Sequence, residues 1–523
     1  MRHATRSGRR GCDCVDRRVT WVVLKSIGST WVLTLVTIAV TYVLMPFTLR
    51  VLGQDGYGTW LLITSLTGYL NLLMLGVPMA SVRQFAGSIG RGDAHKLNVA
   101  IASCTGLFLI MGGVALLSGL ALFFFFTTAY PLPATILRDA EGAFLLVVVQ
   151  LSAGFVMQVP YALLAAQHEF VRRNAISAVA ILLRLAFTLA LLPVVPDLVT
   201  LAGIQFGAAL VEFGASCWLI SGRFPAVRVD LGLFDRAMVK AIFGFSAFVL
   251  LLNVASQLTF QSDAAVIGWL IGIDQIPYYA IGNSLVVNLM QFVLAIAGVV
   301  MPAAARFSAA GEYGELRDIF LKWSKVAMSL TLLAGVFLIV AGPDFVAWWI
   351  GPSFREPTGR VLRILMWSSL VFLPARGVAL PMLMGIGRAK WPAITFLVAG
   401  VANVLLSVLL AKRYGLDGVA FGTALPNVVS AVVIVMLACR ALDVPLREYV
   451  GHVMLRPLVG SVPAFAVLWW ISRQIDLATL PALALSGAAM LVVFGAVWAG
   501  WVYRGDPHFE AMVRLRFRRR GRS

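Results

Sequence analysis

Apolar runs of about 20 residues, nearly free of charge, alternate along the chain with short polar breaks. Runs this long and continuous read as membrane-spanning helices, because a barrel strand is about half as long and alternates apolar with polar positions. Fourteen such runs occur, near 27–49, 57–81, 98–126, 141–166, 175–195, 198–221, 243–269, 278–302, 324–343, 361–386, 391–411, 418–439, 457–472 and 478–503. The pattern predicts an all-α polytopic membrane protein of about fourteen transmembrane helices.

Composition sharpens this reading. Of 523 residues, 60% are hydrophobic and 13% charged, well beyond the roughly half-apolar make-up of a water-soluble domain. The net charge of +18 does not point to nucleic acid, because Lys and Arg sit in loops between spans instead of on one soluble face. They report topology. With the N-terminus inside, most of the 42 Lys and Arg fall in inner segments. Only Arg50, Arg138, Arg355, Arg360, Arg363, Lys412, Arg413 and Arg473 fall outside, and Arg184 and Arg376 lie within spans. Both termini are therefore expected in the cytoplasm, the Arg-rich start as a retained arm (1–26) and the end as a basic tail (504–523). The five cysteines (Cys12, Cys14, Cys104, Cys217, Cys439) show no spacing that predicts a disulfide framework or a zinc site, and no cofactor is expected.

Internal repetition organises the spans. LGQDGYG (52–58) aligns with IGIDQIPYY (271–279), placing Gly53 on Gly272 and Asp55 on Asp274. MASVRQFAGSIGRGD (79–93) aligns with MPAAARFSAAGEYGE (301–315), pairing Arg83 with Arg306, and Pro160 falls opposite Pro381. A shift near 220 covers all three, so helices 1–6 (27–222) and 7–12 (243–440) are predicted as parallel repeats. A linker (223–242) joins them, and helices 13 and 14 (441–503) are additional. The polar island LRVLGQDGYGTW (49–60) is then the outer hairpin of the first copy, where Gly and Asp permit a tight turn.

Pro46, Arg50, Leu52, Gly53, Tyr57, Gly58 and Trp60, followed by GVPMASVRQFA, by SDAAVIG with Asp263, and by GLDGVAFGTALPN (415–427), carry a family resemblance over nearly the whole chain. The sequence resembles the polysaccharide flippases of the Wzx type, in the multidrug/oligosaccharidyl-lipid/polysaccharide exporter superfamily. The resemblance implies two six-helix lobes about a central cavity that opens alternately to either side of the bacterial inner membrane. It implies a polyprenyl-pyrophosphate-linked oligosaccharide as cargo, moved from the cytoplasmic to the periplasmic leaflet. Helices 13 and 14 would border a groove for the lipid tail. Other membrane proteins of polysaccharide assembly are potential partners, and H⁺ or Na⁺ a potential coupling ion.

Such a cargo demands cationic groups and hydrogen-bonding walls. An ionisable group in a span costs about 2.5–3.5 kcal/mol and so faces a cavity or a partner. Arg184 has Glu212 at comparable depth, which leaves an ion pair and a cavity role both open; Arg376 has no such acid and is the better candidate for an anionic headgroup. Arg83 and Arg306 either obey the positive-inside rule or guide pyrophosphate into the inner mouth. Asn253, Gln257 and Gln261 on helix 7, with Asn288 and Gln291 on helix 8, are expected to line the cavity. Helix 1 carries a stripe of Thr30, Thr34, Thr37 and Thr41, which serves either packing or the cavity. Arg50 and Asp263 lie at similar depth, about 30–35 Å from the inner boundary, and are expected to form a periplasmic gate. Alternatively, Asp263 or Glu212 binds the coupling ion.

Three rivals follow from the same residues. A membrane glycosyltransferase or polymerase would need a large extramembrane region with clustered acids or His, whereas the outer loops are short, and neither a Walker loop nor a nucleophile elbow occurs. No enzymatic activity is expected. A drug/cation antiporter would favour acids over arginines in its cavity. A peptidoglycan-precursor flippase fits charge and helix count equally well.

Overall fold

The structure is a computed structural model that describes residues 6–504 and Asp506, apart from 75, 225, 226, 228, 229 and 244–246. The start of the predicted arm, most of the predicted tail, and the side chains of residues 6–24, 26, 27 and 241–250 lie outside that description. Among the described residues, eleven helical runs are long and apolar enough to cross a membrane. Two of them are each a pair of helices. Gly53 (φ 72°, ψ −179°) divides Arg6–Gly68 into α1, ending at 52, and α2, which starts at 54, passes through a 3-10 segment at Tyr69–Met74 and ends with Val77–Gly90. Gly415 (φ 58°, ψ −135°) divides Lys390–Ala441 into α11 and α12. A further helix, α7, is broken at Gln261 into Ala247–Phe260 and Ser262–Leu270, each too short to span alone. With α3 (Ala94–Ala129), α4 (Ala134–Ala166), α5 (Phe170–Leu191), α6 (Leu198–Arg223), α8 (Ile276–Ala309), α9 (Tyr313–Val340), α10 (355–385), α13 (Leu446–Gln474) and α14 (Leu480–Val502), the predicted fourteen helices are accounted for.

The turns report the repeat more sharply than the residues do. Gly53 and Gly272, Gly92 and Gly311, and His168 and Gly387 all have positive φ, and each pair is separated by 219 residues. One register thus runs through three hairpins without a gap. It places Arg83 opposite Pro302, so the predicted equivalence of Arg83 and Arg306, which requires 223, is corrected. Pro160 and Pro381, at 221, are likewise out of register. Residue similarity misled here because short apolar motifs tolerate slippage, whereas a left-handed turn is a fixed geometric marker.

The chain divides between Leu250 and Leu251 into two compact units. In the first, α3 packs on α4, α4 on α6, and α1 on α5. Lipid tails are as apolar as leucine, so helices associate through close packing instead of hydrophobic burial. That explains Gly112 and Gly119 on α3: a Cβ there would lie 2.7 Å from the Ser152 carbonyl oxygen and 2.4 Å from a Val148 methyl on α4. The linker also belongs to this unit. Its short helix Arg236–Phe243 packs on α3 and α2, with Met238 and Val239 against the cluster around Phe85 and Phe108.

In the second unit α10 contacts α8, α9 and the α11–α12 stretch, and α13 packs on α9 and α14. Lys325 of α9, one of the cations that the charge count places in an inner segment, is wholly buried. It is ion-paired with the equally buried Asp506 and donates to the Val502 carbonyl at 2.8 Å. His452 Nε2 lies 3.4 Å from the same carboxylate, and Tyr503 bonds Ser329 at 3.0 Å. The end of α14 is thereby anchored to α9 and α13. Lys325→Met alone strands the Asp506 charge, an expected loss of about 3–5 kcal/mol, whereas Lys325→Met with Asp506→Leu should recover most of it. Thermal unfolding of the detergent-solubilised protein measures both; equal losses in the single and double variants would refute the pairing.

Candidate functional site

The first unit contains a polar cavity of about 140 Å³ among α1, α2, α5 and α6. Thr41 and Thr48, Tyr57 and Trp60, Thr188 and Gln205 wall it, and Arg184 faces it from α5. The Tyr57 and Trp60 of the opening motif thus acquire a place. Arg184 Nε is buried and makes no hydrogen bond. Glu212 does not neutralise it: its carboxylate accepts from Ser177 at 2.5 Å. Ser177 and Arg184 are seven residues apart on α5, about 10 Å along the axis, which is why comparable depth in the sequence did not become an ion pair. The ion-pair alternative is therefore set aside. The cavity presents an uncompensated cation and no acid, with room for a few waters or one compact anion.

A second intramembrane arginine, Arg376, belongs to the second unit. It lies in a π turn, Ala375–Ala379, that follows Pro374 within α10. Such turns widen a helix by one residue and re-aim what they carry. Here the guanidinium is laid over the Phe396 ring of α11, 4.4 Å from its centroid, and Nε is buried without a hydrogen bond. Among the described residues no carboxylate pairs with it. A cation held by an aromatic face instead of an acid keeps its full charge available to an anion.

Asp263 sits two residues past the break in α7 and is 2% exposed. Tyr279 Oη donates to Oδ2 at 2.7 Å, and Thr423 Oγ1 lies 3.1 Å from Oδ1. Thr423 in turn accepts from Asn403 Nδ2 at 3.0 Å. The carboxylate is bonded by neutral hydroxyls of its own unit. Of the two roles expected for Asp263, ion coupling is the one on which this environment bears. A buried carboxylate balanced only by neutral donors is completed by a proton or a monovalent cation. Asp263, Tyr279 and Thr423 offer oxygen ligands for either.

The remaining candidates are more open. Arg50 is exposed at the end of α1; Arg83 is exposed on α2; Arg306 is exposed on α8 beside the Phe307 ring. Asn253 and Gln291 are exposed, and Gln257, Gln261 and Asn288 half-buried. An amide exposed on a spanning helix demands water or a polar ligand beside it. In the threonine stripe, Thr34, Thr37 and Thr41 donate to carbonyls four residues back, and Thr30 accepts from Asn174 at 3.1 Å. Those hydroxyls are satisfied within and between helices, consistent with packing, and only Thr41 reaches the Arg184 cavity. Sequence reasoning missed Tyr279, Asn403 and Thr423; Thr423 lies inside the GLDGVAFGTALPN motif, while Asn403 carried only the signal of a lone amide in an apolar run.

The sequence profile of the family described as "Polysaccharide biosynthesis protein" matches residues 23–308, more than half of the chain. The chain belongs to that family. It is 20% identical over 424 residues to a Shigella flexneri protein described as a "Putative O-antigen transporter", covering 76% of this chain and 94% of that one. The lipid II flippase MurJ in an inward closed conformation shares the fold at TM-score 0.70 and 14% identity, covering 92% of this chain and 99% of that one. An inward-facing MATE family multidrug resistance transporter of the MOP superfamily matches at TM-score 0.66 and 16% identity, over 78% of this chain and 98% of that one. The chain is thus a multi-pass membrane protein of the polysaccharide biosynthesis family.

Proposed function

We propose that the protein flips a polyprenyl-pyrophosphate-linked oligosaccharide repeat unit from the cytoplasmic to the periplasmic leaflet of the bacterial inner membrane, by alternating access, for surface polysaccharide assembly. The observation that carries this reading is the pair of uncompensated intramembrane arginines, Arg184 and Arg376, one in each unit. Holding an unpaired guanidinium in a span is costly, and an anionic cargo repays the cost by binding there. An exporter of organic cations would gain nothing from either. The family match and the Shigella flexneri relative support a polysaccharide unit over a peptidoglycan precursor. Asp263 with Tyr279 and Thr423 supplies the site at which a proton or Na⁺ couples the cycle.

Reconstitution in proteoliposomes tests the reading. A labelled polyprenyl-pyrophosphate oligosaccharide should become accessible to an external glycosidase only when the protein is present. Transport of an organic cation without movement of the oligosaccharide would overturn it.

A further inference from the structure

Three of the arginines that the charge count leaves on the outer side come together in the structure. Arg355 and Arg363 of α10 and Arg473 in the last turn of α13 line one cavity of about 410 Å³, with Asp344, Trp469 and Ser472. Their charges are not equally free. Arg355 is ion-paired with Asp344. Arg363 gives only its Nε, to the Ile339 carbonyl at 3.0 Å; its charge acts on Asp344 through space, but among the described residues no carboxylate forms an ion pair with it. Arg473 lies over the Trp469 ring, 5.3 Å from its centroid, and is likewise in no ion pair. Asp476, three residues on, accepts from the Ala478 amide. Two guanidiniums thus keep their terminal nitrogens open toward a common space.

The surroundings suit a lipid. Trp469 is 48% exposed and Trp470 61%, the amphipathic rings that settle at headgroup depth, and α13 continues with exposed Val459 and Val462 along its length. Arginine on the outer side runs against the positive-inside rule and asks for a local reason. We propose that this cavity binds the phosphate group of a lipid in the outer leaflet, Arg363 and Arg473 sharing its oxygens and the α13 surface taking its chain. The shared chemistry admits two sources, a bilayer phospholipid or the polyprenyl pyrophosphate after it has crossed. Only the sidedness rests on the proposed function; the cavity and its charges do not.

Native mass spectrometry of the purified full chain, titrated with phosphatidylglycerol, undecaprenyl pyrophosphate and phosphate-free diacylglycerol, tests it. Both phosphate lipids should be retained over diacylglycerol, and Arg363→Gln with Arg473→Gln should weaken their retention about tenfold, whereas Lys412→Gln with Arg413→Gln should not. Undecaprenyl pyrophosphate held at least about tenfold more tightly than phosphatidylglycerol assigns the site to translocated cargo; equal retention assigns it to a bilayer lipid. Unchanged retention in the double variant, or equal retention of diacylglycerol, overturns the proposal. The exposed Arg473→Gln alone serves if the double variant does not fold. Binding is read without transport, so a failed flipping assay leaves this site standing, and lost phosphate preference with intact flipping removes this site alone.

Discussion

Arg376→Met is expected to slow translocation about a hundredfold while leaving the protein as stable as before or more so. The two halves of that expectation come from the same geometry. Removing one member of a desolvated charge contact costs about 2–5 kcal/mol of binding, which at 1.4 kcal/mol per decade is roughly thirtyfold to several thousandfold, so a hundredfold lies in the lower part of that range. An arginine that held the fold together would lower stability when removed, because it would strand its acid. Arg376 has no acid to strand: its contact is the Phe396 ring, and its Nε is buried without a partner. Methionine keeps the unbranched stem against that ring and removes the desolvated charge. Arg376→Lys should fall between, retaining charge but losing the planar fork that grips two phosphate oxygens. Initial rates in proteoliposomes and melting temperatures of the same preparations separate the cases. Full transport in Arg376→Met, or a large stability loss with transport intact, would make Arg376 a structural residue.

The contrast between Arg376 and Lys325 shows what a single sequence reveals about intramembrane charge. Both are cations within or at the edge of an apolar run, and the reading from sequence separated them by depth alone. Arg376 had no acid at its level, and among the described residues no carboxylate pairs with it. Lys325 counted only as an inner-segment cation, because its partner, Asp506, is 181 residues away in a tail whose path no local pattern specifies. Long apolar runs made the helices legible, since a bilayer obliges every backbone amide to bond within its own segment. Interruptions were legible only where glycine marks them. Gly53 and Gly272 announced their hairpin, but the break at Gln261 and the π turn at Arg376 depend on how neighbouring helices satisfy freed backbone groups. Those two irregularities are what position Asp263 and Arg376, so the chemistry sits where the period of the sequence is least informative.

Asp263→Asn is expected to uncouple transport from the ion gradient, leaving only downhill movement. The carboxylate receives two hydroxyl donors, Tyr279 and Thr423, and among the described residues no basic side chain bonds it. Asparagine fits the same space but carries no charge for a proton or Na⁺ to neutralise, and it turns one acceptor into a donor facing hydroxyls that already donate. The thermodynamic sign follows from linkage: an ion that binds only the folded protein raises its melting temperature, by the equivalent of about 2.7 kcal/mol at a hundred times its dissociation constant. Wild type should therefore be stabilised by NaCl over KCl if Na⁺ is the ion, or respond to an imposed pH gradient in flux if it is the proton; Asp263→Asn should do neither. Tyr279→Phe should weaken the same response, and combined with Asp263→Asn it should add almost nothing, since both act on one network. Gradient-driven accumulation that survives in Asp263→Asn would move the coupling site elsewhere, to Glu212 on α6, whose carboxylate accepts from Ser177, a residue two turns from the cavity-facing Arg184 on α5.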